Sequence, residues 1–161
     1  MTLPHRAYVA LGANLGDPVA AIRLALDVLA DLDGVELLAS SSLYRTAPIG
    51  LAGQPDFINA VAEIATDLDP QSLLALLLGI EAAQGRIRQE KNGPRVIDLD
   101  LLLYDDLTLT LPELTLPHPR LHLRAFVLHP LAEIAPDLPL PGRGSVSAWL
   151  PAVALQDIAR L

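Results

Sequence analysis

The sequence predicts an α+β fold in which the two helices of a split βαβ unit cover one face of an antiparallel sheet. Three observations predict it. Apolar periodicity runs strand, helix, strand, strand, helix, strand between residues 7 and 104. Both helical stretches open on Asp-Pro and close near a glycine. The last strand is an aliphatic run carrying two aspartates. With 161 residues, 52% of them hydrophobic, the chain has the length and composition of one domain, expected to span 1–161 with a substantial core.

Ala7 to Leu11 reads as a buried strand ended by Gly12-Ala13-Asn14-Leu15-Gly16. Asp17 then supplies an N-cap and Pro18 the first helical position. Val19, Ile22, Leu26 and Leu29 share a helical face, so a helix is expected over 18–32, closed near Gly34. The glycines do not make a phosphate-binding loop: the Lys-Ser/Thr signature is missing, and Asp17 would repel an anion at the helix N-terminus. A strand is expected from Val35 to Tyr44 and another from Phe57 to Thr66. The Pro- and Gly-rich connection 45–56 is longer than a hairpin needs, which suits either a functional loop or a plain surface turn. Asp69-Pro70 starts a second helix running to about Gln84, with Leu73, Leu76, Leu77 and Ile80 facing the core. The Asp98 strand completes a ferredoxin-like sandwich. Beyond it a helix is expected from Leu123 to Ile134, followed by a proline-spaced extension to Leu161 that packs on the body as a short helix or strand.

In the strand that ends this unit, alternation places Ile97, Leu99, Leu101 and Leu103 on one face and Asp98, Asp100, Leu102 and Tyr104 on the other. The two aspartates stand about 6.6 Å apart along the strand, so both carboxylates enter one space and require a cation. An oxygen-only pair suits Mg²⁺ shared with substrate phosphates; the competing reading is a solvated pair on an edge strand. The net charge of −8 disfavours nucleic acid or an anionic membrane as partner. Yet four of the 11 basic residues, Arg86, Arg88, Lys91 and Arg95, cluster just before the aspartates, as a polyphosphate ligand would require. The absence of cysteine fits a cytoplasmic protein, and no apolar run reaches the length of a membrane span. His118, held between Pro117 and Pro119, cannot share a helix with His122, which argues against a zinc pair. It can instead donate to a phosphate, with Arg124 nearby. Phe57 and Phe126, the only phenylalanines, are ordinary core candidates, while Asn59 offers a donor and an acceptor to a heterocycle edge.

Taken together, Leu11-Gly12-Ala13-Asn14-Leu15-Gly16, Tyr44-Arg45-Thr46-Ala47-Pro48, Gln54-Pro55-Asp56-Phe57-Ile58-Asn59, Gly93 to Asp100 and Leu116-Pro117-His118-Pro119 resemble the bacterial 6-hydroxymethyl-7,8-dihydropterin pyrophosphokinase family over essentially the whole chain. The resemblance implies transfer of diphosphate from ATP to the hydroxymethyl group of the pterin by a cytoplasmic monomer. It implies two Mg²⁺ ions on Asp98 and Asp100. It places Arg86 and Arg95 at phosphate stabilisation, with Arg88 in the same loop, and Glu81, Thr115, His118 and Arg124 at the nucleotide. Thr46, Ala47, Ile49, Phe57, Asn59 and Phe126 match the pterin pocket, the two phenylalanines sandwiching the ring. The chain departs from the enterobacterial form at Ala47, Phe57, Asn92, Glu113 and Pro119, and its basic loop is one residue shorter.

Overall fold

The computed structural model describes residues 3–47, 55–85 and 96–161. Strand β1 (His5–Ala13) lies inside the main sheet, antiparallel to β4 (Phe57–Thr66) on one side and to β5 (Asp98–Tyr104) on the other. Helices α1 (Pro18–Asp31) and α2 (Pro70–Ala83) cover the face that carries Ala7, Val9, Leu11, Leu99 and Leu101. Both start as their sequences require. Asp17 accepts from the Ala20 amide at 3.1 Å and Asp69 from the Ser72 amide at 2.7 Å, each followed by proline in the first turn. The expected ferredoxin-like α+β sandwich is the fold observed.

Two strand expectations are corrected. The run from Val35 to Tyr44 is not one strand but two, β2 (Val35–Ser40) and β3 (Tyr44–Thr46), both paired with β4. At the break the Ser41 hydroxyl accepts from the Val61 amide at 2.9 Å, and the Ser42 amide turns away to Glu133. The side chain of Ser41 thus substitutes for a backbone acceptor and lets the chain bend without orphaning Val61. The second correction concerns β5. Val9 pairs with Leu101 and Tyr8 with Leu103, so one extra residue is inserted and the alternation slips. Leu103 joins Leu102 on the far face, whereas Tyr104 turns back into the helix-covered core and donates to the Leu68 carbonyl at 2.7 Å. Asp98 and Asp100 precede the bulge and keep their shared face.

That far face is covered by α3 (Ala125–Ile134), which begins two residues later than its periodicity suggests because Arg124 is extended and acts as the cap residue. Leu128 and Leu131 of α3 pack with Tyr8, Val61, Leu102 and Leu103 in a second core. Short pairs β6 (Leu109–Thr110) with β7 (Thr115–Leu116) and β8 (Pro139–Leu140) with β9 (Gly144–Ser145) follow the chain outward. A 3₁₀ segment, Val146–Val153, packs on α3, and β10 (Ile158–Arg160) pairs with β3, extending the sheet to the order β10-β3-β4-β1-β5. The extension is therefore both helical and strand-like.

Candidate active site

Among the described residues, the far face of the sheet is covered at one end only. α3 buries the end near Tyr8 and Val61, and the other end bears a row of paired positions, Tyr44–Asn59, Asn59–Gly12 and Gly12–Asp98. One step along, Asp100 pairs with Ala10. Both aspartates are half-buried and paired with small residues of β1, Gly12 and Ala10. Sequence reasoning left Gly12 and Ala10 without a role, although together they keep the floor beside the carboxylates low. At Gly12 the constraint is direct: a Cβ there would lie 3.0 Å from Asn59 Oδ1.

Asn59 is 6% exposed, and its Nδ2 donates to Thr46 Oγ1 at 2.9 Å. One amide hydrogen is thus committed to β3, and the buried amide carries a second donor and an acceptor besides. Phe57 stands two residues away on the same face, half-buried rather than in the core, and Phe126 is likewise half-buried in the first turn of α3. Thr46 is buried and Ala47 exposed at the end of β3. Asn14, another residue given no role from the sequence, is 2% exposed and donates to the Pro55 carbonyl at 3.1 Å, anchoring the chain just before Phe57. Its signal was a polar side chain in a buried turn, which has no periodicity to betray it.

On the opposite side of the aspartates lies a pocket of about 380 Å³, lined by Leu74, Leu78, Asp100, Thr115, His118 and Glu113, among others. β5 is the sheet edge, and its Leu99 amide is satisfied by Glu81 Oε2 at 2.7 Å. Glu81 of α2, 3% exposed, thus ties that helix to the strand carrying Asp98 and Asp100. His118 Nδ1 accepts from the Arg120 amide at 3.2 Å, which leaves the proton on Nε2 and makes the outer nitrogen a donor. Burial, reinforced by Arg124 and Arg120 and opposed by Asp98, pushes the His118 pKa down to about 4, so the ring is neutral near pH 7. For Arg124, burial lowers the pKa while Asp100 attracts its charge, Arg120 repels it and Asp98 attracts it. Its guanidinium also lies 5.3 Å from the centre of the Phe126 ring. His118, Arg124, Asp98 and Asp100 therefore share one electrostatic neighbourhood.

The structure brings together Thr46, Asn59, Phe57, Asp98 and Asp100 on one sheet face, Phe126 and Arg124 at the start of α3, and Thr115 and His118 at the pocket. Arg86, Arg88, Arg95 and Ile49 lie outside the described residues. Among the described residues no three His, Cys, Asp or Glu side chains converge to hold a metal. An ion on Asp98 and Asp100 would draw its other ligands from elsewhere. The oxygen-only donors and the low floor beside them fit Mg²⁺ completed by phosphate oxygens and water.

Residues 8–136 match the family described as 7,8-dihydro-6-hydroxymethylpterin-pyrophosphokinase (HPPK). The chain is 47% identical over 157 residues to a 2-amino-4-hydroxy-6-hydroxymethyldihydropteridine pyrophosphokinase of Pseudomonas aeruginosa, spanning 98% of this chain and 97% of that protein. A Haemophilus influenzae protein of the same name is 47% identical over 135 residues, or 84% of each chain. Among solved structures, a Plasmodium falciparum HPPK-DHPS triple mutant with SDX-DHP is similar in fold, with a TM-score of 0.75 at 16% identity. That likeness spans 93% of this chain and 42% of the Plasmodium chain.

Proposed function

Because the chain belongs to the 7,8-dihydro-6-hydroxymethylpterin-pyrophosphokinase family and is a pyrophosphokinase of folate biosynthesis, we propose that it transfers diphosphate from ATP to the hydroxymethyl group of 6-hydroxymethyl-7,8-dihydropterin with the help of Mg²⁺. The observation that carries the residue assignments is the placement of Asp98 and Asp100 between two unlike surfaces. One is the amide-and-aromatic end of the sheet at Asn59 and Phe57; the other is the pocket where apolar Leu74 and Leu78 meet polar Thr115 and His118. A heterocycle with a polar edge suits the first. A nucleotide, with an apolar base and charged phosphates, suits the second.

Asn59 and Thr46 bind the polar edge of the pterin, and Phe57 and Phe126 stack on its ring, pointing the hydroxymethyl oxygen at Asp98 along the row through Gly12. His118 donates from Nε2 to the nucleotide, and Arg124 balances phosphate charge beside Asp100. Two Mg²⁺ ions on Asp98 and Asp100 would neutralise the ATP phosphates. The hydroxyl oxygen attacks the β-phosphorus, the bond from that phosphorus to the α-phosphate oxygen breaks, and AMP leaves. Asp98 is the nearest base in the row to take the hydroxyl proton. Arg86 and Arg95 neutralise the transferring group, with Arg88 beside them.

Incubating the protein with ATP, MgCl₂ and hydroxymethyldihydropterin should release AMP and pterin diphosphate, with AMP appearing only when the pterin is present. Release of ADP, or AMP without pterin, overturns the reading. Asp98→Ala and Asp100→Ala should each lower kcat at saturating Mg²⁺ by about 10³-fold or more. Near-normal turnover in either would remove that aspartate from the site.

A further inference from the structure

We propose that Gln156, in the C-terminal extension, is a positioning residue that clamps the backbone on both sides of Arg124 and so holds its guanidinium at the nucleotide phosphates. The inference rests on the function proposed above and adds a residue from beyond positions 8–136, the stretch that matches the family. Gln156 Oε1 accepts from the Ala125 amide at 2.9 Å, and its Nε2 donates to the Leu123 carbonyl at 2.8 Å. One amide side chain thus spans the residues immediately before and after Arg124, using its donor and its acceptor as a neighbouring strand would.

Arg124 has no regular structure of its own to hold it. It is extended, with φ −121° and ψ 117°, between a three-residue 3₁₀ turn and the first residue of α3, and no side chain caps that helix in the usual way. Without Gln156, the first amide of α3 would be left to water. The geometry of that one residue decides where the charge goes, since its side chain leaves the junction to lie over Phe126.

What holds Gln156 is equally specific. Its own amide donates to the Val153 carbonyl at 3.0 Å, and two residues later Ile158 pairs with Thr46 as β10 joins the sheet. The segment from Val153 to Arg160 is therefore fastened at one end to the core on α3, where Val153 is 2% exposed, and at the other to the strand bearing Thr46. Gln156 sits between, and through it the Arg124 side of the site is tied to the Thr46 side. Leu155, fully exposed, contributes nothing to this attachment, which isolates the amide of Gln156 as the working group.

The test is a double-mutant cycle read in the diphosphotransfer assay, with separate saturation curves for ATP and pterin. Gln156→Leu should lower kcat/KM for ATP about five-fold, the scale of a solvent-facing hydrogen-bond pair, and leave KM for pterin within two-fold. In the Arg124→Ala background the same substitution should change kcat/KM for ATP by less than two-fold. Gln156→Glu, which retains the acceptor for the Ala125 amide but sets an acceptor oxygen against the Leu123 carbonyl, should lose at least as much as Gln156→Leu. It also serves as the second variant if Gln156→Leu does not fold. Equal losses in both backgrounds, or a loss shared equally by ATP and pterin, would reduce Gln156 to a general structural role and overturn the clamp while the proposed reaction stands. A wild-type protein that makes no AMP from ATP and pterin overturns both.

Discussion

The Asn59 amide shows how much of a binding surface can depend on one buried contact. Thr46 takes one of its hydrogens at 2.9 Å, and Gly12 leaves 3.0 Å between Asn59 Oδ1 and the point where a Cβ would stand. Thr46→Val keeps the shape and removes the acceptor, leaving a buried donor unpaired at a cost of about 1–3 kcal/mol. It should raise KM for the pterin about ten-fold and leave KM for ATP near its starting value, since the pocket proposed for the nucleotide lies across β5. Gly12→Ala acts from the other side. The new methyl pushes the amide off its position, and Asn59 cannot yield without stretching its bond to Thr46, so the expected cost is about 1–3 kcal/mol, again expressed in pterin KM. Separate saturation curves for the two substrates check both variants; an effect of either confined to ATP would contradict the placement of Asn59 at the pterin.

Among the elements, what was legible in the sequence was local. Asp17-Pro18 and Asp69-Pro70 announced the helix starts because a cap needs only residues within one turn. The aspartates of β5 stood out because strand interiors disfavour them. The bulge that sends Tyr104 back into the core was not legible, since it depends on how β5 meets β1, some ninety positions away in the chain. Nor was the break at Ser41–Leu43, because Ser40-Ser41-Ser42 holds no glycine or proline to mark a bend. That break is closed by Glu133 of α3, whose carboxylate accepts from Tyr44 Oη at 2.6 Å, from the Ser42 amide at 3.0 Å and hydroxyl at 2.9 Å, and from Arg160 at 3.3 Å. One side chain thereby joins α3, the β2–β3 bend and β10. Glu133→Ala should destabilise the fold by ~1–2 kcal/mol, a figure kept low because water screens these contacts. Denaturant unfolding measures it. Tyr44→Phe, which removes one donor of the four, should cost less, and a larger loss in Tyr44→Phe than in Glu133→Ala would show that the network is not centred on the carboxylate.

For the whole molecule, the same groups set the response to acid. Burial, with Arg124 and Arg120 adding to it, holds the His118 pKa at about 4, below its ordinary 6.5, so the folded chain resists taking a proton that the unfolded chain accepts. Glu133 moves in the same sense: burial pushes its pKa up, but the hydrogen bonds from Tyr44 and Ser42 outweigh it and hold the carboxyl below its ordinary 4.5. In both cases the unfolded state binds more protons through the relevant window, so stability falls as pH falls. The contribution of His118 is intact above about pH 6.5 and is lost progressively down to about pH 4; that of Glu133 is intact above about pH 4.5 and disappears below it. For His118, after allowance for its contact with solvent, the loss is on the order of 1–2 kcal/mol. Urea unfolding followed by circular dichroism at pH 7.5, 5.5 and 4.5 should show this decline in the unliganded wild type. His118→Asn, whose Oδ1 can accept from the Arg120 amide in place of the ring nitrogen, should flatten the slope between pH 6.5 and 4.5 and leave the steeper fall below it. An unchanged slope in that variant would mean that the upper window belongs to a group other than the half-buried His118 imidazole.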